Sequence, residues 1–181
     1  MRIIAGKYRG KKLFTPTTDT IRPTSDRARE SIYNIINSKI DGDWEDISLL
    51  DVFSGTGAFS LEAVSRGVGE VGLIDLDITL SSKNATLFSA EKSKIKIIKA
   101  NALNLPLSNK QYDIVFLDAP YFKDMSPKVL EELSTKGWLK SNALCIIELE
   151  KKEDLVLPKN FEELDERRYG LAKIIFATYH K

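Results

Sequence analysis

The sequence predicts an α/β fold: a mainly parallel, twisted sheet with helices on both faces, an antiparallel strand at its C-terminal end, and a small N-terminal β-hairpin and helix. Three observations carry this. From Asp46 onward, short apolar runs alternate with helical patterns, and strands separated by helices pair in parallel. The first of those runs passes directly into a glycine turn and then a helix. The tail forms two further strand-like runs around Gly170, which read as a closing antiparallel pair.

The elements follow in order. Residues 2–5 and 11–14 flank Gly6-Lys7-Tyr8-Arg9-Gly10 and read as a small basic hairpin. Residues 15–23 are polar and hold Pro16 and Pro23, hence a loop. A helix is expected from about Thr24 to Ile40: Thr24 can cap it, Asp26 suits its positive end, and Ala28, Ile32, Ile35, Ile36 and Ile40 form one apolar stripe. Then come a strand at 48–53, a helix at 58–65, a strand at 71–75, a weaker helix near 79–90, and strands at 95–99 and 112–117. Residues 126–135 read as a helix with Pro127 in its first turn and Gly137 just past its end. A strand at 143–150 and the tail runs at 161–169 and 171–179 complete the pattern. The expected division is a basic N-terminal appendage, residues 1–40, on a body of residues 41–181. In such a body ligands sit at the C-terminal ends of the strands.

A chain of 181 residues has room for one domain and buries enough surface to need neither disulfides nor a structural metal. Its 43% hydrophobic and 29% charged residues are ordinary for a soluble protein. No apolar run approaches the roughly 18 residues of a membrane span, and the N-terminus lacks the apolar core of a signal peptide, so a cytoplasmic protein is expected; a monomer is expected as well. One cysteine, Cys145, lies in an apolar strand, and one histidine, His180, lies beside the C-terminus. That inventory argues against a transition-metal site and a Ser-His-Asp triad, leaving carboxylates, backbone groups and a cofactor for any chemistry. Charge is uneven: residues 1–30 carry eight Lys/Arg against three Asp/Glu, and the remainder nineteen against twenty-three. A basic arm on a mildly acidic body implies a polyanionic partner met from one end.

Four constellations carry chemistry. In Asp51-Val52-Phe53-Ser54-Gly55-Thr56-Gly57, a strand enters a tight turn whose glycines permit positive φ and close approach of a ligand to the backbone. Nicotinamide, flavin and S-adenosylmethionine sites all use such a unit. A dinucleotide fingerprint would place Gly or Ala at Ser60, and a carboxylate at Asp51 would oppose a pyrophosphate but can hold the α-ammonium of a methionyl group. Phe53 and Thr56 belong to the same loop. Asp75, 18 residues after Gly57 and followed by Leu76, stands where a carboxylate accepts ribose hydroxyls, with Asp77 as a competitor. Asn101-Ala102 follows the third strand, where Asn101 can bond an adenine edge. Together these predict a Rossmann-like class I fold that binds S-adenosylmethionine.

The fourth is Asp118-Ala119-Pro120-Tyr121, at the end of a buried strand. The lone pair of an exocyclic amine is delocalised into its ring and attacks poorly. Acceptors around the NH₂, here the Asp118 carboxylate and a backbone carbonyl, favour a pyramidal nitrogen and stabilise charge developing on it. Pro120 biases Ala119 to an extended conformation that aims its carbonyl, and Tyr121 can stack on a base swung out of its helix. Asp118 also borders the cofactor site. Contact with the nucleic acid is assigned to Arg2, Lys7, Tyr8, Arg9, Lys11, Lys12, Arg22, Arg27 and Arg29.

With these residues in place the chain resembles the RsmD family of bacterial 16S rRNA guanine-N2 methyltransferases. The resemblance spans nearly the whole length. It is most specific in Met1-Arg2-Ile3-Ile4-Ala5-Gly6-Lys7-Tyr8-Arg9-Gly10-Lys11-Lys12-Leu13 and in Arg22-Pro23-Thr24-Ser25-Asp26-Arg27-Ala28-Arg29-Glu30. It implies methylation of one guanine N2 in a small-subunit assembly intermediate. It also implies cofactor contacts from Asp51, Gly55, Gly57, Asp75 and Asn101, with Asp118 and Tyr121 in the family's Asp-Pro-Pro-Tyr/Phe motif. Ala119 departs from that motif's first proline; it keeps the carbonyl but adds an N–H and some freedom. Rival readings are an adenine-N6 methyltransferase, a non-catalytic RNA-binding assembly factor on the same fold, and a nicotinamide oxidoreductase. Base C5 methylation needs a cysteine nucleophile, and Cys145 is misplaced for it.

Overall fold

The computed structural model describes residues 1–16, 26–121 and 123–181. Its centre is a seven-stranded sheet of β1 (Ser48–Val52), β2 (Glu70–Asp75), β3 (Ile95–Lys99), β4 (Tyr112–Asp118), β5 (Leu139–Glu150), β6 (Phe161–Tyr169) and β7 (Ala172–Tyr179), in the order β3-β2-β1-β4-β5-β7-β6. β1 to β5 run parallel; β7 inserts antiparallel between β5 and β6. The strand order reverses between β1 and β4, so a crevice opens there at the C-terminal strand ends.

Among the described residues the α-helices are α1 (Asp26–Lys39), α2 (Ala58–Arg66), α3 (Thr79–Ala85) and α4 (Ser126–Thr135). Each face of the sheet has its own core. Leu50, Val52, Val115, Leu117, Cys145 and Ile147 pack with Val129, Leu130 and Leu133 of α4. Leu49, Ile114, Phe116 and Ile146 pack with Ile32, Tyr33 and Ile36 of α1 and with Phe59 and Leu61 of α2. Strand alternation therefore sends Asp51, Asp118 and Glu148 to the α1/α2 face, at the C-terminal ends of three adjacent strands.

Most expected elements are present within a residue or two, and three differ. The helix expected over 79–90 stops at Ala85 and continues as 3-10 turns over Thr86–Lys94, broken at Phe88 (φ −117°, ψ 41°). The break turns Phe88 into the core, where Tyr8 meets it edge-on at 4.8 Å. β5 begins at Leu139 rather than 143, because Leu139 pairs with Tyr112 ahead of an irregularity at Tyr112/Ile114. The N-terminal hairpin pairs through one bridge, Arg2–Lys12, rather than two full strands. The stripe expected on α1 holds at Ala28, Ile32 and Ile36, while Ile35 and Ile40 are only partly buried. Thr24, the expected cap, lies outside the described residues.

The N-terminal arm is bonded tightly to α2. The fully buried Glu62 carboxylate accepts the Ile4 and Ala5 backbone N–H groups at 2.7 and 2.9 Å, and Arg66 pairs with it at 3.0 Å. Ser65 adds a carbonyl that accepts from Lys7 N–H and a hydroxyl that accepts from Tyr8 N–H while donating to Ala5 O. Ile3 and Leu13 carry the arm into the core.

Candidate active site

The turn after β1 has an unusual backbone. Phe53, Gly55 and Gly57 take φ of 64°, 52° and 73°, and an aromatic residue in this left-handed region is strained, a feature concentrated at ligand sites. At Gly57 a Cβ would also come within 2.8 Å of Leu73 Cδ2. At Gly55 a Cβ would meet only Phe53 O, at 4.0 Å, so glycine serves conformation and ligand approach. Ser54, between them, has a buried hydroxyl with no hydrogen-bond partner among the described residues. Such an atom costs free energy unless a ligand satisfies it. Thr56 is buried beside it.

Asp51 lies beneath this turn, 2% exposed, and its Oδ2 accepts the Ser60 N–H and hydroxyl at 3.3 and 3.0 Å. Burial pushes its carboxyl up to about 7, with the charge of Asp75 adding to the rise and the Ser60 bonds opposing it. A cationic group entering the crevice would offset that cost.

Asp75 ends β2 with one oxygen accepting Gly55 N–H at 2.8 Å and the other accepting Asp77 N–H at 3.1 Å. Asp77 instead accepts Thr79 N–H at the start of α3, and those bonds hold its carboxyl below the usual range. The competitor is thus occupied in starting a helix. Leu76 is 61% exposed beside Asp75, where an apolar ring could cover it. Asn101 is exposed, and its Oδ1 accepts Leu103 N–H at 3.0 Å, closing a local turn. Ala102 is buried behind it.

Asp118 ends β4, the strand next to that of Asp51, on the same face of the sheet. Its carboxylate accepts no hydrogen bond among the described residues, and burial, then the charges of Glu148 and Asp51, push its carboxyl well above the ordinary value. Ala119 is buried, Pro120 exposed, and Tyr121 partly buried with its hydroxyl donating to Glu148 Oε1 at 3.0 Å. The residues therefore fit a cofactor with a cationic end, a polyol and an apolar ring, as S-adenosylmethionine has, beside a carboxylate open to an amine. Cys145 is buried in β5 and burial pushes its thiol up to about 12, so it supplies no thiolate.

The residues assigned to RNA divide. Arg2, Lys7, Arg9, Lys12 and Arg27 are exposed, although Lys7 pairs with Glu91 at 2.7 Å. Lys11 lies 5.4 Å over the Tyr8 ring, and Tyr8 packs on Phe88 with its hydroxyl on Glu91, so its ring lies beneath the arm rather than presented for stacking. Arg29 is a correction: its guanidinium is buried, donating to Arg2 O at 2.6 Å and Asp26 at 3.1 Å, and it holds the arm to α1 instead of facing solvent. Arg22 lies outside the described residues.

Sequence reasoning missed three residues. Ser54 stands between the glycine-turn residues it did single out. Asn84, fully buried, donates to Phe14 O and Thr56 O and accepts Phe14 N–H, linking the arm to the glycine turn. Glu148 is a carboxylate inside an apolar strand, the one signal that could have marked it.

A family model described as conserved hypothetical protein 95 matches residues 1–178. Ribosomal RNA small subunit methyltransferase D of Escherichia coli strain K12 is 33% identical over 184 residues, spanning 100% of this chain and 90% of that protein. Its namesake from Haemophilus influenzae is 32% identical over 177 residues, spanning 94% and 90%. The solved structure of yhhF from Escherichia coli matches with a TM-score of 0.83 at 30% identity, covering 99% of this chain and 98% of that one.

Proposed function

Because this chain belongs to the conserved hypothetical protein 95 family, the RsmD family, we propose that it transfers a methyl group from S-adenosylmethionine to small-subunit rRNA, at the exocyclic N2 amine of one guanine in 16S rRNA within an assembly intermediate. The observation that carries this reading is the Asp118 carboxylate, unpaired among the described residues and close enough to Asp51 to feel its charge, at the strand ends where the strand order reverses. The cofactor supplies an electrophilic methyl on a sulfonium.

Asp51 would hold the α-ammonium, with Ser54 and the backbone of Gly55–Gly57 around the methionyl group. Asp75 would accept ribose hydroxyls, and Leu76, Asn101 and Ala102 would border the adenine. Asp118 and the Ala119 carbonyl would accept from the amine and stabilise positive charge as it builds on nitrogen. Asp118, with its raised pKa, can then hold the proton the amine loses. Tyr121 would stack on the base. The exposed cations Arg2, Arg9, Lys12 and Arg27 support an RNA-facing role for residues 1–40, with phosphates as the targets.

Nucleoside analysis of 16S rRNA from cells with and without the gene tests this. Loss of one N2-methylguanine on deletion, restored by the gene, is the expected result. An unchanged guanine profile with a lost methyladenine would move the acceptor to adenine N6, and no change at all would sink the enzymatic reading.

A further inference from the structure

We propose that Glu148 is a positioning residue for methyl transfer, holding the Tyr121 hydroxyl and so the ring set against the acceptor base. This rests on the assignment of Asp118 and Tyr121 to the transfer site. Glu148 is 3% exposed in a strand whose neighbours Cys145, Ile146, Ile147 and Leu149 are all buried. A carboxylate there is expensive unless something bonds it, and packing alone would favour leucine. One bond that Glu148 accepts comes from the Tyr121 hydroxyl, at 3.0 Å and across 27 residues of sequence.

The placement follows from register. Glu148 pairs with Asp118 across β4 and β5, and both lie on the α1/α2 face. Tyr121 comes three residues after Asp118, beyond the end of β4, where no strand bonds direct its ring. A hydrogen bond to a rigid central strand supplies that direction, and one to an ionised acceptor is the stronger kind. A stacking ring must be in place before the base arrives, or its ordering adds to the barrier. Burial and the neighbouring Glu148 charge also raise the proton affinity of Asp118, which agrees with the two carboxylates forming one working group.

The test is a double-mutant cycle on small ribosomal subunits isolated from cells lacking the gene. Glu148→Leu removes the acceptor at similar volume, and Tyr121→Phe removes the donor and keeps the ring. Each should lower kcat by about tenfold, the scale of a charge-assisted hydrogen bond, and the double variant should fall no further than the weaker single. Glu148→Gln, which keeps an acceptor, should lie between parent and Glu148→Leu. Affinity for S-adenosylmethionine should stay within a few-fold throughout. If Glu148→Leu does not fold, Glu148→Gln with and without Tyr121→Phe reads the same coupling, since its effect should vanish when the hydroxyl is already gone. A parental kcat for Glu148→Leu, or losses that multiply in the double variant, overturns the proposal. Asp118→Ala separates the two levels: full turnover there defeats the site assignment itself, whereas an inactive Asp118→Ala beside a fully active Glu148→Leu defeats only the role of Glu148.

Discussion

The Asp75 carboxylate accepts the Gly55 backbone N–H at 2.8 Å, so the turn after β1 and the tip of β2 form one unit. Asp75→Ala removes this tie together with the ribose acceptor, and S-adenosylmethionine binding should weaken at least tenfold by calorimetry. Asn101→Ala should cost less, since its side-chain oxygen is already committed to Leu103 N–H. An Asp75→Ala protein that binds the cofactor like the parent would remove Asp75 from the ribose site.

Asp51 makes cofactor binding pH-dependent. Its carboxyl is raised from 3.8 to about 7 by burial, so at pH 6 the free protein holds the proton, while an ammonium partner needs the carboxylate. The Asp51 contribution to binding should therefore be release of a proton at pH 6 that vanishes near pH 9, and affinity should fall as pH drops below about 7. The sign for folding is opposite to that of an ordinary paired acid. Between about 4 and 7 the folded state holds a proton that the unfolded chain does not, so this group lowers stability as pH rises through that window. Calorimetry in two buffers of different ionisation enthalpy measures the release, and Asp51→Asn should abolish its Asp51 component. Equal release by parent and Asp51→Asn would assign the proton elsewhere, with Asp118 the next group to test.

Asp118→Ala should separate chemistry from binding. The carboxylate has no hydrogen bond among the described residues, so its removal breaks no described side-chain bond. Methyl transfer should drop by roughly 10²-fold or more, the scale for one preorganised electrostatic group, with S-adenosylmethionine affinity within a few-fold. Equal loss of both in single-turnover and binding assays would indicate a cofactor or structural role.

Local pattern made much of this visible, and long-range packing hid the rest. Asp51, Gly55 and Gly57 could be read because strand, turn and helix are contiguous. Asp75 and Asp77 could not be separated by spacing, since what distinguishes them is that one bonds the neighbouring strand's turn and the other starts α3. Glu148 and Glu150 look alike in sequence; only pairing with β4 puts Glu148 beside Asp118. Arg29 sits in a polar, basic stretch, and its burial depends on an arm that folds back 27 residues away. The helix pattern over 79–90 was overridden at Phe88 by a core position shared with Tyr8.

The exposed cations of the arm should supply RNA affinity without supplying chemistry. Arg9 and Lys12 project to solvent, and Lys11 lies over the Tyr8 and Phe88 rings. What ties the arm to the glycine turn is the Asn84 side chain bonded to the Phe14 backbone and to Thr56 O, together with a 3.5 Å contact from the Thr56 hydroxyl to Met1 Sδ. Neutralising Arg9, Lys11 and Lys12 to alanine leaves all of these groups in place, so S-adenosylmethionine affinity should not move. Loss of the Lys11 ring contacts should lower stability by only about 0.5–1 kcal/mol, a small change in melting temperature that serves as the folding control. Binding to small subunits should weaken, and each lost phosphate contact should flatten the slope of log K against log salt by about 0.7–0.9. A filter-binding titration across salt concentrations measures both. If affinity and slope stay at the parental values, the arm is scaffolding for α2 and the glycine turn, and RNA contact belongs to the surface around Tyr121 and Lys128.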